Sequence, residues 1–220
     1  MKSVFFPLCA FTMALAGAGA AMATPITTAG LTVTSGGLTF SEFTCAFSGS
    51  GHHLGGCDSI DVAALTPSPT GIQFSTDLAV KGISSADAAL TFFVNDPGGV
   101  NAVGLSFNST FFGMDVNSVT ENVYASLGGP IVGTATVTCG DVSGCLATTT
   151  DSISLNGTYK SLYITKDINL SSFNEGASGS TSIITQTFSG ASTPEPVSVA
   201  LMGGGLALIG VAGIRKNKSH

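Results

Sequence analysis

The feature that most constrains the fold of this chain is an alternation of apolar and polar residues with a period of two. In "GLTVTSGGLTF", Leu31 and Val33, then Leu38 and Phe40, occupy alternate positions. The stretches "ALTFFVND", "GLSFNSTFFGMDV" and "STSIITQTF" are also rich in strand-forming residues. A period of two places successive side chains on opposite faces of a strand, whereas a helix needs a longer period. The chain is therefore predicted to consist of β-strands.

Turn residues separate these predicted strands at intervals of about ten residues. The stretch "DPGG" at 96–99 and the stretch "GGP" at 128–130 each predict a turn, and Asn156-Gly157 predicts a two-residue hairpin. The single predicted helical turn lies around Ser84 to Ala89. Short strands at this spacing predict an all-β fold, an antiparallel β-sandwich or jelly-roll-like single domain, over residues 24–190.

Residues 1–23 have the pattern of a secretory signal peptide. Lys2 supplies a positive charge, an apolar stretch runs from Val4 to Ala16, and Ala21-Met22-Ala23 is a small-x-small cleavage site. We therefore expect the exported chain to begin at Thr24.

Residues 191–220 combine three features in a fixed order. The first is a Pro-Glu-Pro motif formed by Pro194, Glu195 and Pro196. An uncharged, glycine-rich run of 18 residues follows at 197–214. As a helix this run is about 27 Å long and is long enough to cross a hydrocarbon layer of about 30 Å. The third feature is a basic stop formed by Arg215, Lys216 and Lys218. Such residues tend to stay in the cytoplasm, so the pattern predicts a transmembrane helix with the β domain outside.

This three-part pattern resembles the PEP-CTERM sorting signal of Gram-negative bacteria. The resemblance covers residues 193–218. It implies processing by an exosortase, an integral-membrane cysteine transpeptidase, with Pro194 to Pro196 as substrate residues and not catalytic ones. It also implies an inner-membrane precursor that is delivered to the cell surface or extracellular matrix, in bacteria that typically make exopolysaccharide.

The charge of the predicted domain excludes one class of partner. Residues 24–193 contain three lysines and twelve acidic residues, a net charge of −9. Nucleic-acid binding requires a basic surface, so we predict no nucleic-acid partner. Serine, threonine, glycine and asparagine take the place of charged residues, which suits an extracellular surface.

The predicted domain contains four cysteines, an even number that favours disulfides in an exported protein: Cys45, Cys57, Cys139 and Cys145. Three connectivities are possible. We favour Cys45–Cys57 and Cys139–Cys145, because each pair flanks a glycine-rich loop. The alternative is a four-cysteine zinc site, but zinc ligands normally occur in more closely spaced pairs. We therefore predict no metal and no cofactor.

Few residues of the domain are suited to metal binding or catalysis. His52 and His53 are its only histidines, and Cys57, Asp58 and Asp61 lie nearby as a metal-site alternative. The simpler interpretation is a solvated loop tip within a disulfide. Any Ser-His-Asp or Cys-His catalysis would need one of these histidines. A calcium site is a further alternative, built from the oxygens of "VNDPGGVN" or "MDVN", although no D-x-D-x-D-G loop is present.

The pattern of residues favours a protein that is not an enzyme. The leading hypothesis is an exported surface or matrix protein with a structural or adhesive role in the envelope or exopolysaccharide. The alternative is a secreted β-sandwich module that binds a glycan or small ligand. Exposed Tyr159, Tyr163 or a phenylalanine would favour that alternative, because sugar rings stack on aromatic side chains. A hydrolase would need His52 or His53 in a pocket beside a nucleophile or carboxylate.

Overall fold

The computed structural model describes residues 22–66, 68–140 and 149–190. These residues form an antiparallel all-β fold with one short 3₁₀ turn at Cys57–Ser59. The nine strands are β1 (Thr24–Pro25), β2 (Thr32–Ser35), β3 (Leu38–Leu54), β4 (Ile60–Leu65), β5 (Gly71–Phe112), β6 (Asp115–Tyr124), β7 (Ile131–Gly140), β8 (Thr150–Ser172) and β9 (Ser178–Gly190).

The predicted ends of the chain lie almost entirely outside the described residues. Residues 1–21 of the signal peptide and the whole of 191–220 belong to this part, including the sorting motif, the apolar run and the basic stop. Within the described residues, no helix has the length and apolar character needed to cross a membrane.

The long strand β5 pairs with different strands along its length. Its first part, 71–81, pairs mainly with β4 and β9, and its middle part, 84–95, pairs with β3 and β8. Its last part, 100–112, pairs mainly with β9, and with β8 as far as residue 106. Gly82 lies at the first junction with φ of 71°, a backbone conformation that favours a residue without a Cβ.

Phenylalanine side chains from different parts of the sheet meet in the interior of the fold. Phe74 and Phe92 both belong to β5, and their ring centroids lie 5.8 Å apart in the interior. Phe40 of β3 and Phe188 of β9 form a second contact, at 5.4 Å. Alternate residues of β6, β8 and β9 are buried, as the period of two predicted. The arrangement is consistent with the predicted β-sandwich.

The predicted turn at 128–130 is confirmed, since it joins β6 to its antiparallel neighbour β7. The Gly129 N–H donates to the Ser126 carbonyl oxygen at 2.9 Å, and the Ala125 N–H donates to the Pro130 carbonyl oxygen at 3.1 Å. These two bonds close the connection between the strands.

The "DPGG" stretch interrupts the register without reversing the chain. The Gly98 N–H donates to Asp96 Oδ1 at 2.9 Å, a side-chain turn that replaces ladder bonds locally. Pairing with β8 then resumes at Val100. Asp and Pro at this point therefore mark a bulge within β5.

The predicted hairpin at Asn156-Gly157 is wrong. Strand β8 continues through these residues, and Ser154 pairs with Ala102 while Tyr159 pairs with Val100. The extra residues of β8 form an irregularity between these two pairs. Long-range pairing with β5 overrides the local preference of Asn-Gly for a reversal.

The predicted helical turn around Ser84 to Ala89 is also wrong. These residues lie in the middle of β5, between the ladders of β3 and β8. Ser84, Ala86 and Ala88 are buried and alternate with more accessible residues. Hydrogen bonding on both edges outweighs the modest helix preference of alanine.

Candidate ligand-binding face

Three aromatic side chains form a row across the outward face of β5, β8 and β6. Phe93 pairs in register with Tyr163, and Tyr163 pairs with Tyr124. The ring centroids of Phe93 and Tyr163 lie 5.1 Å apart, and those of Tyr163 and Tyr124 lie 6.0 Å apart. All three side chains are half-buried, and their sequence neighbours Phe92, Leu162 and Val123 point into the core. We call Phe93, Tyr163 and Tyr124 the aromatic row.

Hydroxyl and amide side chains lie beside the aromatic row, two positions away on the same outward face. Thr91 pairs with Thr165, and Thr165 pairs with Asn122. Thr134 Oγ1 donates to Asn122 Oδ1 at 2.9 Å, and the hydroxyl oxygens of Thr44 and Thr91 are 2.7 Å apart. The Thr134 bond fixes Oδ1 of Asn122 as an acceptor, and the amide nitrogen of Asn122 can act only as a donor.

Two carboxyl groups lie further along this face. Asp167 is the next outward residue of β8, and Asp87 of β5 pairs with Asn169 one step beyond it. Burial raises the pKa of Asp167 above its ordinary value, and the nearby Asp87 carboxyl raises it further. Asn169 Nδ2 donates to Asp87 Oδ2 at 3.4 Å, which holds that carboxyl beside β8. The face therefore presents rings, neutral polar groups and carboxyl oxygens in succession. This combination suits a polyhydroxylated ligand.

A separate cavity of about 640 Å³ contains both histidines. His52 pairs with Lys81, and His53 pairs with Val80, so both histidines lie on the end of β3. The predicted loop tip is therefore wrong, because β5 extends the ladder over these residues, while the predicted solvent exposure holds for His52. Glu175 also lines the cavity.

The cavity does not bring the histidines together with a nucleophile. No serine, threonine or cysteine is among its lining residues in the described part of the chain. The ring of His53 packs against Phe47, with centroids 5.4 Å apart. Leu54 and Ile83, both 70% exposed, make much of the wall apolar. The pocket therefore meets the stated condition of a histidine beside a carboxylate, through Glu175, without a serine, threonine or cysteine among its described lining residues.

The predicted disulfide between Cys45 and Cys57 is confirmed. It ties β3 to the 3₁₀ turn that precedes β4. This bond removes both sulfurs from any four-cysteine zinc site, so that alternative is wrong. Cys139 is buried at the end of β7, and the predicted partner Cys145 lies outside the described residues.

The alternative metal site around the histidines is not assembled either. Cys57 is bonded to Cys45, and no cluster of three or more His, Cys, Asp or Glu side chains suited to a metal ion occurs among residues 22–66, 68–140 and 149–190.

No protein-family model matches the chain, and no curated protein matches it. Among solved structures, the chain is similar to TmCBM61 in complex with β-1,4-galactotriose, at 14% identity and a TM-score of 0.34, covering 66% of this chain and 88% of that one. It is also similar to the enzymatically active domain of bacteriophage CBA120 tailspike protein 4, at 13% identity and a TM-score of 0.33, covering 67% of this chain. The match spans only 19% of the tailspike chain. Both TM-scores are low, so these similarities assign no function to the chain.

Proposed function

We propose that this chain is an exported, non-enzymatic binding module that attaches to a polysaccharide through the aromatic row. The observation that carries the proposal is the registered contact of Phe93, Tyr163 and Tyr124 on one outward face. Binding a polysaccharide in the envelope or the surrounding exopolysaccharide would give the protein its adhesive role.

The physical basis is the amphipathic character of sugars. One face of a pyranose ring carries mainly C–H groups, which stack on an aromatic ring, while the hydroxyl groups point outwards to hydrogen-bond partners. The aromatic row offers stacking surfaces on three adjacent strands. Thr165 and Asn122 supply donors and acceptors immediately beside it. Because the face is built on paired strands and not on loops, these groups are held in place before the ligand arrives.

The location of the protein follows from its sorting signal in this proposal. An exosortase would recognise Pro194, Glu195 and Pro196 in a precursor held by 197–214 in the inner membrane. Intact-mass analysis of protein recovered from the cell surface and the medium tests this part. The expected mass corresponds to a chain that begins at Thr24 and ends near 194–196. A mass that includes residues through His220 would contradict processing.

Affinity electrophoresis tests binding against many polysaccharides in parallel. The exported protein is run through gels that contain polysaccharides of different composition, including the exopolysaccharide of the source cells. We expect retardation by at least one polysaccharide and loss of that retardation in Tyr163→Ala. Tyr163→Phe keeps the ring and should keep most of the retardation, since stacking does not require the hydroxyl.

The matched control removes an exposed aromatic ring elsewhere. Phe112, at the end of β5, is 70% exposed and pairs with Ser178, outside the aromatic row. Phe112→Ala should therefore migrate like the parent protein. Equal loss of retardation in Phe112→Ala and Tyr163→Ala, or none in either, would contradict a role specific to the row.

A further inference from the structure

Buried oxygen atoms without partners collect near the start of β6. Asp115 is 1% exposed, Asn117 is fully buried, and Ser172 of β8 is 3% exposed. Both carboxylate oxygens of Asp115, Oδ1 of Asn117 and Oγ of Ser172 have no hydrogen-bond partner. Buried polar atoms are normally paired, so four such atoms in one region require an explanation.

The backbone brings these three side chains together. Asp115 pairs directly with Ser172, and both point inwards, so their Cβ atoms are about 5 Å apart. Asp115 and Asn117 are two residues apart on the inner face of β6, which separates their Cα atoms by about 6.6 Å. Side chains of this length can therefore direct oxygens towards a shared point.

The carboxylate of Asp115 is directed across the interior towards β9. A Cβ atom on Gly179 would overlap Asp115 Oδ2, so the glycine leaves the space that the carboxylate occupies. Any larger residue at position 179 would displace it. Gly179 therefore leaves room in the interior for the Asp115 carboxylate.

The orientation of the Asn117 amide is fixed by its donors. Nδ2 donates to Ser109 Oγ at 2.6 Å and to the Thr110 carbonyl oxygen at 3.1 Å. A carbonyl oxygen can only accept, so the nitrogen must be on this side. Oδ1 is therefore directed away from β5 with its lone pairs available.

An unpaired carboxylate in such a place carries a free-energy cost. No basic side chain forms a salt bridge with Asp115 in the described part of the chain. A cation would supply the missing counter-charge and the missing partners for the neutral oxygens.

We propose that Asp115, Asn117 and Ser172 bind a single hard cation, Ca²⁺. The donor set is entirely oxygen, from a carboxylate, an amide and a hydroxyl, which matches the preference of Ca²⁺. One carboxylate gives a weak site, with an expected Kd of about 10⁻⁴–10⁻³ M, the range of extracellular modules. The proposal is independent of glycan binding at the aromatic row.

Thermal unfolding of the exported protein after EDTA treatment and dialysis tests the site. We expect about 10 mM CaCl₂ to raise the Tm by about 3–10 °C relative to NaCl of equal ionic strength. Isothermal titration with CaCl₂ should show one site per chain. MgCl₂ should have a smaller effect, because Mg²⁺ loses its water ligands reluctantly.

Two matched variants identify the site. Asp115→Asn keeps the shape of the side chain and removes the charge, so it should fold without metal and lose both the Tm response and the titration heat. Asp77→Asn removes an exposed carboxyl of β5 and should keep both. Absence of a Ca²⁺ response in the parent protein, or an unchanged response in Asp115→Asn, would overturn the proposal.

Discussion

Lys166 Nζ lies 2.5 Å from Glu121 Oε2 in the interior of the fold, with both side chains fully buried. The two residues are register partners on β8 and β6. The Lys166 ammonium group also lies over the Phe74 ring, 6.0 Å from its centroid. Burial raises the pKa of Glu121 and lowers that of Lys166, and each partner opposes the shift of the other. Each buried charge is therefore stabilised by its partner against the cost of its burial.

Single substitutions in this pair should be severely destabilising. Lys166→Met or Glu121→Leu leaves one buried charge without its partner, and we expect a loss of about 3–5 kcal/mol in the free energy of unfolding. The double variant should recover much of this loss, because it removes both desolvation costs. Urea unfolding of the parent, the two single variants and the double variant measures the coupling free energy between the two charges. Additive losses in the double variant would show that the two charges do not compensate each other.

The disulfide predicts a second stability effect. Cys45 and Cys57 are separated by 12 positions, and in the chain-entropy model a loop of this size contributes about 3 kcal/mol. The double variant Cys45→Ala, Cys57→Ala should lose roughly that amount in urea unfolding. Reduction should then change the stability of this variant less than that of the parent. An unchanged midpoint in the double variant would contradict a stabilising role.

We expect that replacing Glu42 by glycine stabilises the protein. It is the non-glycine residue with positive φ in the described chain, at 55°, within a register shift of β3. A side chain in this conformation costs roughly 1–2 kcal/mol per residue, which glycine avoids. We therefore expect Glu42→Gly to raise the free energy of unfolding by about 1 kcal/mol after the entropy loss of glycine. Glu42→Ala retains the Cβ and serves as the control. An equal gain in both variants would attribute the effect to charge and not to the backbone.

We expect the stability of the protein to depend on pH through Asp167. Its pKa in the folded protein is raised above 3.8, chiefly by burial and then by Asp87. A raised pKa means that the folded state favours the protonated carboxyl. The contribution of Asp167 to the free energy of unfolding is therefore fully present below pH 3.8. It is lost as the pH rises through the pKa of Asp167 in the folded protein.

Urea unfolding across this pH range measures that contribution. Asp167→Asn should become more stable relative to the parent as the pH rises. Asp77→Asn removes an exposed carboxyl of β5 and is the control for the loss of one negative charge. A constant difference between Asp167→Asn and the parent at all pH values would contradict the assignment.

Much of the fold was predictable because strand periodicity is local information. The alternation of residues indicated the strands, and the spacing of Cys45 and Cys57 indicated their bond. The errors at Ser84 to Ala89 and at Asn156-Gly157 share one cause, which is pairing with residues far away in sequence. Local residue preferences do not indicate which distant strand pairs with a given segment.

The aromatic row was only partly visible in the sequence. Tyr163 was a candidate, but its contacts with Phe93 and Tyr124 depend on the register of three strands. A signal for the buried ion pair was present in the alternation itself. Lys166 occupies the same phase as Leu162, Ile164, Ile168 and Leu170, and Glu121 that of Val119 and Val123. A charge in an apolar phase predicts a buried partner on another strand.

The most direct test of the account is a fluorescence titration of the protein with an oligosaccharide from the polysaccharide that retards it. The chain has no tryptophan and three tyrosines, two of which belong to the aromatic row. The account predicts a saturable change in tyrosine emission and a Kd that is raised about tenfold, a loss of about 1.4 kcal/mol, in Tyr163→Ala. Phe112→Ala should bind like the parent. Saturable binding with the same Kd in Tyr163→Ala would contradict the central claim.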